Sequence, residues 1–112
     1  MHCELSGDCM IIGIPTDDGK HVSEHFGRSK RFMIVDMQDG RELERRLVEN
    51  PHDKEQSEQS GHGKLLKMLV ENKVNRVVCF NLNPKMEKNL DSLKIEVRKC
   101  SEGAEIGSLL KI

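Results

Sequence analysis

The six residues Ser23-Glu24-His25-Phe26-Gly27-Arg28 hold the densest chemistry in the chain, an imidazole, a guanidinium, a hydroxyl and a glycine in one short run. A histidine in an ordered loop is a ready ligand for iron, copper, zinc or nickel, and it is equally explained as a loop residue held by hydrogen bonds. Arg28 has the planar fork that clamps an anion, or that pairs with Glu24. Gly27 lets the backbone turn or lets a ligand come close. A second run, Gly61-His62-Gly63-Lys64, stands before an apolar helical pattern, where unsatisfied N–H groups and the positive end of the helix dipole favour an anion. His62 reads as a second ligand facing His25 or as a polar loop residue. The run is not a P-loop, because Glu58 stands where glycine is needed and Leu65 replaces the hydroxyl residue.

Cys79 lies near the end of the strand run Arg76-Val77-Val78-Cys79-Phe80, where a free cysteine is first a small core group; its place near the strand's carboxyl end keeps it a third candidate ligand. Cys3, Cys9 and Cys100 have weaker claims. No CxxC pair occurs, which argues against a zinc knuckle or a thioredoxin-type pair, and reduced thiols fit best. His2, His21 and His52 lie in polar segments and read as solvated. Asp17, Asp18 and Asp36 invite comparison with nuclease carboxylates. Asp17 and Asp18, however, precede Gly19 in a turn where Asp is favoured for backbone reasons, and no basic, aromatic-laced groove accompanies them. No GxSxG elbow or Cys-His-Asn set is present.

These residues need a frame. Cys9 to Pro15 and Arg31 to Asp36 read as buried strands, with the Ser23 to Arg28 run in the loop between them. Asp39-Gly40 predicts a hairpin into a third strand over Glu42 to Glu49. Asn50 to His62 is polar and predicts a long surface loop. A helix then starts at Gly61-His62-Gly63, carries Leu65, Leu66, Met68, Leu69 and Val70, and ends near Asn72-Lys73. Arg76 to Phe80 is a buried strand. Asn83 caps and Pro84 opens a second helix with Met86, Leu90 and Leu93 on one face. Ile95 to Arg98 is a strand, and Ser101 is a cap for a short closing helix with Ile106, Leu109 and Leu110.

The pattern predicts one α/β domain over residues 9–112, after an extension over 1–8, with a five-stranded mixed sheet in the order 3-2-1-4-5 and helices on its faces. Ligands gather beyond the carboxyl ends of parallel strands. That brings together the loop after Ile14, the helix start at Gly61-His62-Gly63, and Asn81-Leu82-Asn83, so Asn81 joins the candidate residues. At 112 residues the chain can fold without disulfide staples. Eighteen Lys and Arg against nineteen Asp and Glu give a net charge of -1, with no general attraction for nucleic acid or an anionic membrane. With no spanning segment or signal pattern, a cytoplasmic protein is expected.

Ile14-Pro15-Thr16-Asp17-Asp18-Gly19, Val22-Ser23-Glu24-His25-Phe26-Gly27-Arg28 and Phe32-Met33-Ile34-Val35-Asp36 together closely resemble the dinitrogenase iron-molybdenum cofactor biosynthesis family, and Asn50-Pro51 and Gly61-His62-Gly63 match as well. The resemblance covers about residues 10–110. It implies a ribonuclease-H-like domain without the nuclease carboxylates, and a non-enzymatic carrier or chaperone for an anionic metal-sulfur cluster such as the iron-molybdenum cofactor. On that reading His25, His62 and Cys79 are the metal-ligand candidates. Ser23, Gly27, Arg28, Gly61, Gly63 and Asn81 surround the cargo. The expected partners are cluster donor and acceptor proteins, and the chain is a monomer or weak homo-oligomer. The chain departs from the family at Phe80-Asn81-Leu82-Asn83, where relatives are usually richer in glycine. The rivals are a metal-independent interaction or regulatory module and, third, a ribonuclease-H-like nuclease.

Overall fold

A computed structural model describes residues 9–26, 29–38, 41–50, 58–82 and 84–110. One strand in from the edge of its sheet is β2 (Arg31–Gln38), whose alternation sends Phe32 and Ile34 to one face and Met33, Val35 and Met37 to the other, all buried. A strand apolar on both sides must be covered on both sides. It pairs antiparallel with β1 (Cys9–Thr16), from Cys9↔Gln38 to Thr16↔Arg31, and with the edge strand β3 (Arg41–Glu49). Beyond β1 lie β4 (Arg76–Cys79) and β5 (Glu96–Lys99), both parallel to it. The order β3-β2-β1-β4-β5 is the one that the right-handed crossover rule predicts.

Helices α1 (Glu58–Glu71) and α2 (Pro84–Ser92) contribute Leu65, Leu69, Met86 and Leu90 to a core with Phe32, Ile34 and Val77. The short α3 (Ile106–Leu110) contributes Ile106 to a second core with Ile12, Ile14, Met33, Val35 and Met37. Every strand but β2 ends at one end of the sheet, called the upper end below. No helix among the described residues is long and apolar enough to cross a membrane.

Several boundaries differ from the sequence expectation. Helix α1 begins at Glu58, so Gly61-His62-Gly63 lies inside it and the polar loop is shorter than Asn50 to His62. Val70 and Leu93, expected on buried faces, are exposed; Leu93 lies one residue past the end of α2. Strand β5 starts one residue late, at Glu96. Ser101 does not cap α3: its carbonyl accepts the Ala104 N–H (3.1 Å) in a turn, and the Glu105 carbonyl accepts the Ser108 N–H (3.1 Å). Residues 1–8, Asp39-Gly40 and Asn83 lie outside the described residues. Gln38 nonetheless pairs with Arg41, the spacing of a two-residue hairpin connection.

α1 and α2 end alike. Lys73 (φ 60°) and Lys94 (φ 62°) take the left-handed conformation. Val74 N–H returns to the Leu69 carbonyl (3.0 Å) and Ile95 N–H to the Leu90 carbonyl (2.9 Å), the six-to-one bond of a Schellman cap. Both lysines occupy a position that favours glycine. Lys73→Gly and Lys94→Gly are each expected to raise unfolding free energy by about 0.5–1 kcal/mol, relief of αL strain outweighing the added freedom of the unfolded chain; urea titration checks this.

Candidate functional site at the upper end of the sheet

The loop after β1 crosses the upper end of the sheet from one face to the other. Val22 (3% exposed) belongs to the core under α3, and Phe26 (3% exposed) belongs to the core under α1 and α2. Phe26 meets Phe32 edge-to-face, with centroids 5.2 Å apart at 83°. Between these anchors Ser23, Glu24 and His25 span the strand ends.

Short polar contacts fix the first half of the loop. Thr16 Oγ1, fully buried, donates to the His21 carbonyl (2.7 Å) and accepts the Gly19 N–H (2.9 Å). Gly19 at φ +82° is the position where this turn requires glycine. Asp18 accepts from the His21 ring (2.9 Å) and from the Lys20 and His21 backbones (2.8 and 2.9 Å). The loop also docks on the segment before α3, through Val22 N–H to the Ala104 carbonyl and Ile106 N–H to the Lys20 carbonyl, each 2.8 Å. Asp17 ties the two ends of the loop: its carboxylate accepts the Lys30 N–H (2.8 Å) and its carbonyl accepts from the Arg31 guanidinium (2.9 Å). Both aspartates therefore serve the backbone, as the turn reading expects. Exposed His21 is hydrogen-bonded to Asp18 and not merely solvated.

The far end is closed by two buried polar residues. Asn50 (1% exposed) donates from its amide to the Ser29 carbonyl (2.8 Å) and from its backbone to the Lys30 carbonyl (3.1 Å). Ser29 (0% exposed) donates to the Arg31 carbonyl at 3.1 Å.

The His21 imidazole, more than the backbone donors, holds the Asp18 carboxyl well below the usual carboxylate range. A carboxyl depressed on folding contributes stability that is complete above its unfolded pKa, about 4, and lost as pH falls below it. Glu42, lowered by Arg45, and Glu96, lowered by Arg98 and Arg76, act in the same direction. Thermal melts between pH 5 and 2 are expected to show a falling midpoint in the wild type and a shallower, not absent, slope in Asp18→Asn.

The candidate residues fare differently. His25 is exposed, and its backbone N–H donates to Ser23 Oγ (3.2 Å). Ser23 is buried and lies 3.4 Å from Asp17 Oδ2, so its hydroxyl is engaged within the loop instead of being presented to a ligand. Gly27 and Arg28 lie outside the described residues. Asn81 is exposed, between exposed Phe80 and buried Leu82. Cys79 has no exposed surface, and burial pushes its thiol up to about 11, which makes it a core group in this conformation and takes it out of reach of a ligand.

The Gly61 to Gly63 amides belong to the hydrogen-bond ladder of α1, whose unsatisfied donors come earlier. Gly63 is exposed and a side chain there would meet nothing within 4 Å, so no close approach requires the glycine. His62 sits within the helix, three residues before Leu65. Among the described residues no group of three or more His, Cys, Asp or Glu is arranged to hold a metal ion. Among the described residues the loop at the upper end thus offers two exposed imidazoles, His21, which is hydrogen-bonded to Asp18, and His25. Sequence reading gave Val22 and Phe26 no role; the signal was there, as two large apolar residues four apart in an otherwise polar segment.

The profile of the family described as "Dinitrogenase iron-molybdenum cofactor" matches residues 8–111. An uncharacterised protein of Methanocaldococcus jannaschii is 31% identical over 93 residues, which cover 82% of this chain and 75% of that one. The crystal structure of PH0822 superposes with a TM-score of 0.77 at 28% identity, covering 91% of this chain and 86% of that one. The apo form of the orange protein from Desulfovibrio gigas superposes at 0.76 with 16% identity, covering 94% and 87%, a likeness of fold alone.

Proposed function

The chain belongs to the dinitrogenase iron-molybdenum cofactor family, and from that membership we propose that it is a non-catalytic carrier that binds an anionic metal-sulfur cluster reversibly at the upper end of its sheet. One observation carries the reading. Val22 and Phe26 sink into opposite cores and leave the His25 imidazole exposed between them, so a ligand is held in place without being enclosed.

A cargo that must be handed on suits such a site. One imidazole ligates iron or molybdenum readily but gives up a cluster more easily than a set of four thiolates. His25 is the primary ligand in this reading. His62 is a second, and Gly27, Arg28, Gly61 and Asn81 complete the surroundings. Arg28 offsets cluster charge through its fork. Ser23 supports His25 through the loop, Gly63 has no part, and Cys79 would act only if the core opened. Exposed Phe80, next to Asn81, offers donor and acceptor proteins an apolar contact at the same end.

Anaerobic reconstitution with iron and sulfide, with and without molybdate, tests the proposal through visible absorption and metal content after desalting. His25→Ala keeps the backbone N–H that bonds Ser23, so the fold is expected to survive. Cluster retention should fall by more than the roughly 10–100-fold that loss of an outer-shell partner costs. Equal retention by wild type and variant would remove His25 as a ligand, and no retention by either would remove the carrier reading.

A further inference from the structure

Strand β3 has an open outer edge. Among the described residues nothing pairs with it on the side away from β2. Its two leucines, Leu43 and Leu47, are each 47% exposed, an unusual apolar load for an edge strand. About Arg45 its leucines stand symmetrically at 43 and 47 while its charges are opposite, Glu44 against Arg46 and Arg41 against Glu49.

We propose that β3 pairs antiparallel with β3 of a second copy of this chain, centred on Arg45, and joins two five-stranded sheets into one of ten strands. Two-fold symmetry writes every contact twice. Leu43 meets the partner's Leu47, and Glu44 meets the partner's Arg46. Of the charged residues between Leu43 and Leu47 only Arg45 faces a like charge, and each Arg45 already carries a bidentate partner in Glu42, at 2.8 Å through both Nε and Nη2. Within one chain Arg46 and Glu44 are loosely paired, at 4.0 Å, and are free to exchange. Centring the pair on Glu44 or on Arg46 sets that residue against itself and leaves both leucines without leucine partners.

The register step at Asp36/Met37 leaves Leu43 as the extra residue of β3 and the regular register starts at Glu44, so the proposed pairing, from Leu43 to Leu47, is irregular at each Leu43 end. Five residues a side bury less than a stable interface needs, and the dimer is weak and concentration-dependent. Because the strands run antiparallel, the two upper ends point in opposite directions and neither exposed His25 is covered. The inference does not depend on the carrier reading.

Sedimentation velocity on the full chain over about a hundredfold range of concentration tests it. The wild type should shift from monomer toward dimer. Glu44→Arg and Arg46→Glu, each of which turns two attractive contacts repulsive, should weaken association at least about tenfold. Mixed together they should form a heterodimer, since the new arginine of Glu44→Arg then meets the new glutamate of Arg46→Glu in one contact, and the unchanged Arg46 of the first meets the unchanged Glu44 of the second in the other. Unchanged thermal melts show that the variants fold, both residues being exposed. A wild type monomeric throughout, a dimer indifferent to both variants, as a register centred on Leu47 would be at Glu44, or a mixture without rescue overturns the proposal.

Discussion

Phe26→Ala is expected to lower unfolding free energy by about 3–5 kcal/mol, the cost of removing a buried phenylalanine, in a protein whose total is on the order of 5–15 kcal/mol. The ring is 3% exposed and meets Phe32 edge-to-face, a geometry that adds about 0.5–1.5 kcal/mol beyond area burial. The loss should have a local signature as well. With one of its two anchors gone, the segment from Ser23 to Lys30 should exchange its amide hydrogens faster than the strands, and reconstituted cluster should be retained less well while the sheet is still folded. Urea unfolding gives the first quantity and hydrogen exchange the second. Phe26→Leu keeps an apolar anchor and should recover most of both. A cost below about 1 kcal/mol for alanine would mean that the ring does not anchor the loop.

Asn50→Ala is the second large effect, at about 1–3 kcal/mol. The Asn50 amide donates to the Ser29 carbonyl at 2.8 Å in a buried setting, and alanine leaves that carbonyl without this donor. The backbone bond from Asn50 to Lys30 survives, so the end of β3 should keep its course while the loop's far end loosens. Asn50→Asp separates hydrogen bonding from size. It sets a carboxylate against a carbonyl and should be worse than alanine at neutral pH, with the difference shrinking in acid as the side chain regains a proton to donate. Denaturant titrations of the three proteins at pH 7 and pH 4 measure this.

The sheet was readable because its strands are simple. β2 alternates between two buried faces, β1 is continuously apolar, and crossover handedness leaves little choice of order. The start of α1 was not readable. Glu58, Gln59 and Ser60 carry no apolar residue to mark a face, while Gly61 and Gly63, each costing about 1 kcal/mol in a helix interior, look like breakers. That misplaced boundary moved the expected anion site into a helix ladder. At the candidate site, sequence reading picks out His25 for its chemistry and reads Cys79 first as a core group, which its burial bears out, but it cannot show that Ser23 is spent on the loop. That follows from burial and from the bond to Asp17, which the spacing alone does not reveal. Phe26 was overlooked because it looked like a passenger among polar neighbours.

The crossing from Val22 to Phe26 has a bearing on how this protein can change over generations. Four peptide units, at about 3.3–3.6 Å each, must reach from one core to the other around the strand ends. Loss of one residue would pull an anchor free, whereas exchange of the exposed side chains at 24 and 25 touches neither core. The segment is therefore constrained in length and permissive in identity, so descendants of one scaffold can trade the groups they offer at this end while inheriting its folding intact.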